Sequence, residues 1–235
     1  MTERARPSRW RRPRVPAPVR RRWPRSQPSA RSDGHSGRAE HRSVYSRSYL
    51  PHFDAARVVQ GITFRLADSV PRGVINSWRE EILMARQWRT DRARHEELQR
   101  RVARYEDAGR GECHLGRAEI AATVRDALAR FDGEWYQLLA WCVMPNHVHV
   151  LIKQRHGFPL ADVVRSWKGS TARKANAILG RTGRFWMPEY HDRRIRDDAH
   201  LSRAILYIEN NPVKAGLCER PEDWPWSSAK ERAGR

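Results

Sequence analysis

Cysteine is scarce: Cys113, Cys142 and Cys218 are the only three in 235 residues, and no two fall in a CxxC spacing. That leaves no disulfide framework and no cysteine zinc module, and suits a reducing, cytoplasmic setting. Long apolar runs are missing too. The longest is the seven residues Leu138–Met144, far short of the roughly 20 that a membrane-spanning helix needs. Acidic residues are few, 27 Asp plus Glu against 46 Lys plus Arg, for a formal net charge of +19. A soluble chain with that excess points to a polyanionic partner, nucleic acid first. Only five of the basic residues are lysine, a bias that genomic base composition explains as well as recognition does.

The length suits one domain and a tail. The first 50 residues hold 14 arginines against Glu3, Asp33 and Glu40, a net of +11, together with six prolines. Such a stretch cannot bury enough apolar surface to offset its ordering entropy. Residues 1–46 are therefore predicted to be a disordered basic tail and 47–235 a single domain. The tail has no apolar core of the kind a secretory signal carries.

Within the domain, Val58–Leu66 alternates apolar and polar residues, as a strand does. From Val74 to about Glu106 strong helix formers carry spaced apolar residues, predicting a long helix, continuous or broken, that ends at Gly109 and Gly111. Arg117–Phe131 repeats the helical spacing. Trp135–Val143 and His147–Lys153 read as two strands joined by Met144-Pro145-Asn146, an antiparallel hairpin. Leu160 to Ile178 is an amphipathic helix closed by Gly180. Tyr190–Ile195 is a short strand or linker. Asp197-Asp198 caps a last helix expected to stop at Asn211, because Pro212 follows. The order predicts an α+β class: a ferredoxin-like antiparallel sheet with helices packed on it. Trp141, Trp167, Trp224 and Trp226 sit in apolar patterns and are expected in the core.

His147 and His149 are two apart on a strand, so they leave one face while Val148, Val150 and Ile152 line the other. Two imidazoles so placed can grip one metal ion, but a third ligand is needed and the pair alone is a weak signal. On the last helix Tyr207 and Asn211 stack four apart, off the apolar stripe of Leu201, Ala204, Ile205 and Ile208. Tyr190, beside His191 and Asp192, competes with Tyr207 as a nucleophile.

Several strings taken together resemble the REP-associated tyrosine transposases, a branch of the single-tyrosine HUH transposases. They are Tyr49-Leu50-Pro51-His52-Phe53, Ile62-Thr63-Phe64-Arg65-Leu66, Met144-Pro145-Asn146-His147-Val148-His149-Val150-Leu151-Ile152, Glu189-Tyr190-His191-Asp192-Arg193 and Tyr207-Ile208-Glu209-Asn210-Asn211-Pro212-Val213-Lys214. The similarity runs from about residue 47 to 229. It implies an HUH nuclease fold acting on single-stranded, hairpin-forming DNA with a divalent metal, Mg²⁺ or Mn²⁺. By motif position it implies Tyr207 as nucleophile and His147, His149 and Asn211 as metal ligands. The chain departs from the family in its tail and in the stretch from Met84 to Asp132, neither of which is expected to touch the site.

The resemblance further implies cleavage and rejoining through a 5′-phosphotyrosine intermediate. Arg193, Arg194, Arg196, Lys168 and Lys214 are candidates for phosphate contacts. A nucleoid-associated location follows from such a role, with monomer and dimer both open. A hairpin-repeat binding protein that kept the fold without catalysis is the main alternative, and a metal-dependent phosphohydrolase the next.

Overall fold

The computed structural model describes the backbone of residues 43–46, 51–54 and 58–234, and the side chains of 58–234. Strands β1 (Ser43–Ser46) and β2 (Pro51–Asp54) pair antiparallel as a two-stranded ribbon. The last four residues of the expected tail thus lie in a paired strand, and its remainder falls outside the described residues.

The main sheet is built from β3 (Val59–Arg65), β4 (Tyr136–Val143), β5 (His147–Gln154) and β6 (His191–Arg194). Its spatial order is β4-β5-β3-β6, every neighbour antiparallel. This is the split βαβ arrangement expected of a ferredoxin-like sheet. Register fixes the faces. Phe64 opposes Val148 and Ile62 opposes Val150, whereas Thr63 opposes His149 and Arg65 opposes His147. Opposed residues share a face, so the apolar set and the histidine set are separated by the pleat.

Helices α3 (Ala118–Ala129) and α4 (Leu160–Ile178) cover the apolar face. Trp167 of α4 stacks on Phe64, and its Nε1 donates to the Tyr136 hydroxyl at 2.8 Å, which in turn donates to the Leu128 carbonyl of α3 at 2.7 Å. The polar ends of two large buried aromatics are thereby satisfied. Phe64 alone contributes about 1.5–3 kcal/mol by burial. Trp141, Trp167, Trp224 and Trp226 are all buried, as expected.

Helix α5 (Asp198–Lys214) lies over the histidine face, setting its Tyr207 ring against His149. Asp197 caps it through His200 N–H. The expected stop before Pro212 is not observed: the helix runs through the proline to Lys214 and ends at Gly216, whose φ of +68° suits glycine. Proline lacks only its own N–H, and the following bond, Ala215 N–H to Asn211 O at 3.0 Å, holds the last turn. The extra turn carries Lys214 to the face that bears Tyr207.

The stretch from 72 to 107 is two helices, not one: α1 (Arg72–Met84) and α2 (Asp91–Asp107), broken at residues 85–90 and capped by Thr90. They form an arm with a small core of its own, Val70, Ile75 and Val102, edged by Trp78, Leu98 and Tyr105. The two stems of the arm meet. Asp68 Oδ2 accepts from Glu112 N–H at 2.8 Å, and a Cβ on Gly111, at φ +88°, would stand 3.0 Å from the Asp68 carbonyl oxygen. Both stems also bond the β4–β5 turn, Leu66 N–H to Asn146 O at 2.9 Å and Leu115 N–H to Pro145 O at 3.0 Å.

Candidate functional site

His147 and His149 project from β5 beneath α5 and are only 1% and 6% exposed. Their Nε2 atoms converge to 2.9 Å, with the rings at 87°. Each Nδ1 has a separate partner, Asn146 Oδ1 at 2.7 Å for His147 and Thr63 Oγ1 at 2.9 Å for His149. The Asn146 amide is oriented independently, since its Nδ2 donates to the carbonyls of Glu106 (3.1 Å) and Arg110 (2.9 Å). Its Oδ1 therefore faces His147, and because an amide oxygen only accepts, the proton of His147 resides on Nδ1. The Thr63 hydroxyl can either donate to or accept from His149 Nδ1, and the lone pair of His147 Nε2 points at His149 Nε2.

With both Nε2 atoms unprotonated, the pair would offer two lone pairs to one cation. Their 2.9 Å separation also matches neighbouring ligands around an octahedral ion with bonds of about 2.1 Å. Burial, helped by the charges of His149 and Arg65, holds the His147 pKa well below its ordinary value. Burial, helped by His191 and Lys214, lowers that of His149 to about 4. Both rings are neutral near pH 7, the form in which imidazole ligates.

A third donor comes from the arm. Asp107, the last residue of α2, places Oδ1 3.9 Å from His147 Nε2, and the ligand atoms of Asp107, His147 and His149 all lie within 4.8 Å of one another. Burial raises the Asp107 pKa, and Lys214 counters it. Beside it Glu106 is buried and paired with Arg65 at 3.0 Å, yet burial lifts its carboxyl to about 7. The arm therefore reaches the site, contrary to the expectation that the 84–132 stretch stays clear of it. No sequence pattern marks Asp107, whereas Asn146 was in view inside the Met144–Ile152 string with no role attached.

Tyr207 is 42% exposed, with its ring 5.8 Å from that of His149 and the Lys214 ammonium 4.5 Å from its centroid. Its phenol is raised by burial first and then by Asp107, while a hydrogen bond with Asn211 works against both. Asn211 is buried, and its Nδ2 donates to the Tyr207 carbonyl at 3.0 Å. Tyr190 lines the same cleft as Tyr207, but its hydroxyl is sealed from solvent.

That cleft, about 1700 Å³, opens between the arm, β6 and α5, with His149 and Tyr207 in its lining. It exceeds a small-molecule pocket of about 300–1,000 Å³. Arg193, Arg194 and Arg196 are exposed along it. Lys168 is placed differently from the phosphate-contacting role expected of it. Its ammonium donates to the carbonyls of Met187 and Pro188, both at 2.7 Å, and burial lowers its pKa to about 8. It fastens the segment entering β6, with most of its hydrogen-bonding capacity engaged.

Residues 117–211 match the family described as "Transposase IS200 like". A REP-associated tyrosine transposase of Escherichia coli K12 is 27% identical over 93 residues, covering 40% of this chain and 54% of that protein. A Haemophilus influenzae protein named in the same class is 27% identical over 103 residues, covering 40% and 58%. The chain thus spans somewhat over half the length of these relatives. Among solved structures, a REP-associated tyrosine transposase bound to a REP hairpin aligns at 18% identity with a TM-score of 0.47, covering 82% of this chain and 86% of that one. A Deinococcus radiodurans R1 structure described as a transposase aligns at 18% identity and 0.32, covering 71% and 96%. The sequence matches bear out the resemblance carried by the motifs: residues 117–211 are similar to the IS200-like transposases, and the chain is similar over 93 to 103 residues to REP-associated tyrosine transposases.

Proposed function

We propose that the protein cleaves and rejoins single-stranded, hairpin-forming DNA, with Tyr207 as nucleophile. The observation that carries this is the convergence of two neutral, oriented imidazoles with an accessible tyrosine at the base of an arginine-lined cleft. His147, His149 and Asp107 would hold a divalent ion, Mg²⁺ or Mn²⁺, with Asn211 as the further ligand that the family resemblance implies. Such an ion, when bound, stabilises the charge that develops on a scissile phosphate.

The chain's own groups do the remainder. A free phenol is ionised to about one part in a thousand at pH 7, so positioning has to make up for weak nucleophilicity. Asn211 holds Tyr207 through a hydrogen bond that favours the phenolate, and Lys214 packs its ammonium over the ring face. The phenolic oxygen forms a bond to phosphorus and releases its proton as the bond from phosphorus to the 3′ oxygen breaks. The departing 3′ oxygen takes up a proton. The phosphodiester energy persists in the 5′-phosphotyrosine, so a 3′-hydroxyl can reverse the step and join strands.

Arg193, Arg194 and Arg196 supply phosphate contacts along the cleft, and Lys214 one beside the nucleophile. The test is incubation of the full chain with single-stranded hairpin DNA from the flanks of its own gene, with Mg²⁺ or Mn²⁺, and a denaturing gel read for a covalent adduct. Tyr207→Phe keeps the ring and is expected to bind DNA without forming the adduct, while Tyr190→Phe still forms it. Failure of the wild type to form any adduct, with binding intact, would favour the non-catalytic binder.

A further inference from the structure

The arm lies wholly outside the segment that matches the transposase family, yet it forms one side of the cleft. From that side Arg72, Asn76 and Gln99 face the cleft, opposite Arg193 and Arg203. At one point the two sides touch. His95 of α2 and His191 of β6 stand with ring centroids 6.4 Å apart and planes 24° from parallel. This pair is next to the candidate metal centre, because His191 opposes Thr63 across β3 and Thr63 bonds His149.

A centroid distance of 6.4 Å stands at the loose end of ring pairing, which runs from about 4.5 to 7 Å. Stacked bases along a strand are spaced by about 3.4 Å, so one base inserted between two rings needs roughly 7 Å between them. A widening of about half an ångström is within the side-chain freedom of two half-buried histidines. We propose that His95 and His191 sandwich one unpaired base of a single DNA strand, with the arm as the outer jaw. The base would belong to the strand continuing from the hairpin, close to the phosphate that Tyr207 attacks. Arg72 and Arg193 line the same cleft with charge for the backbone, and Asn76 and Gln99 in that lining offer both donors and acceptors toward base edges. A duplex has no free base face to offer such a slot, so the partner is single-stranded.

The inference rests on the proposed DNA substrate, but its test needs no cleavage. Binding is measured by fluorescence anisotropy on the full-length Tyr207→Phe protein with Mn²⁺, using a blunt hairpin, the same hairpin with a 5′ or a 3′ single-stranded extension, and extended hairpins with one abasic site moved along the extension. His95→Ala is expected to weaken binding of one extended hairpin by about tenfold, the scale of a single base–ring stack, and to leave the blunt hairpin unchanged. One abasic position should cost the unsubstituted protein a similar factor and cost His95→Ala nothing further. His95→Trp should restore the affinity. Equal loss on blunt and extended hairpins, no loss on either, or additive losses from His95→Ala and every abasic position would each overturn the sandwich. Absence of a covalent adduct in the wild type would instead overturn the catalytic reading and leave this one standing.

Discussion

The site is assembled from two regions held in very different ways. The β4–β5 hairpin with its histidines is enclosed by the main core, almost every side chain of β5 being buried. The arm stands on a cluster of three buried apolar residues, and much of its remaining cohesion is surface ion pairing, such as Arg92 with Glu96. Exposed pairs of that kind add little stability. Metal-binding chemistry calls for donors fixed to fractions of an ångström, and substrate selection tolerates, and uses, a region that yields. Under the proposed function, the contrast gives the reaction to the hairpin and choice of strand to the arm, with Asp107 as the point where they meet.

The largest expected effect tests that division directly. His149→Ala should abolish measurable Mn²⁺ binding in calorimetry and with it adduct formation, whereas Asp107→Asn should weaken binding by about 10–100-fold, as an auxiliary group does. Equal losses would put the arm on the same footing as the hairpin. Next, Asn146→Ala removes the acceptor that orients His147 and both donors that tether Glu106 and Arg110. It should lower stability by about 1–3 kcal/mol through buried groups left unpaired, read from denaturant unfolding. Asn146→Asp keeps the acceptor and loses the donors, so amide exchange in α2 should rise while His147 retains its tautomer in ¹⁵N spectra. Exchange confined to the hairpin would break the proposed tie.

A smaller effect concerns pH. Glu106 binds its proton more tightly folded, at about 7, than its ordinary value of 4.5. Its contribution is therefore favourable below about pH 4.5 and is lost as pH rises toward 7. The two histidines act oppositely, costing stability as pH falls below 6.5. Glu106→Gln should gain in melting temperature relative to the wild type between pH 5 and 7.5 in the presence of a chelator. A difference that stays flat across that range would mean the carboxyl is not protonated in the fold. Smallest is the separation of Lys168 from the cleft arginines. Arg196→Ala should reduce the salt dependence of single-strand binding by a slope of about 0.7, while Lys168→Met leaves the slope unchanged and lowers thermal stability. A reduced slope in Lys168→Met would return that lysine to the binding surface.

The sheet was legible because Val58–Leu66 alternates apolar and polar residues and the hairpin turn between two apolar runs is marked by Met144-Pro145-Asn146, and α3 and α4 because their apolar spacing is regular. The break between α1 and α2 was legible only as a possibility, since residues 85–90 contain neither proline nor glycine. The end of α5 was misjudged because proline blocks one hydrogen bond, and the next turn can survive that. For the site, His147, His149, Tyr207 and Asn211 could be singled out because each pair shares a face at fixed spacing. Asp107 could not. It reaches the histidines through the fold of the arm, a tertiary relation across 40 residues of chain that leaves no local periodicity. Lys168 resembled a surface cation in sequence because the carbonyls it binds belong to a segment that only the folded chain brings near it.

The meeting of the arm's stems has a consequence for how such a protein can be altered. Asp68 and Glu112 are in contact, and each stem is separately pinned to the turn before His147. The excursion between them therefore begins and ends at one spot, like a tool in a chuck. Excising residues 69–111 asks the rest of the chain to span only a short gap, and a different excursion could be mounted on the same two stems. Any replacement has to return a carboxylate to the position of Asp107 and carbonyls to those of Glu106 and Arg110. Exchange at this point would give the cleft a new outer wall on the same two stems, and the Asn146 side chain serves as the socket that checks whether the new part has been seated.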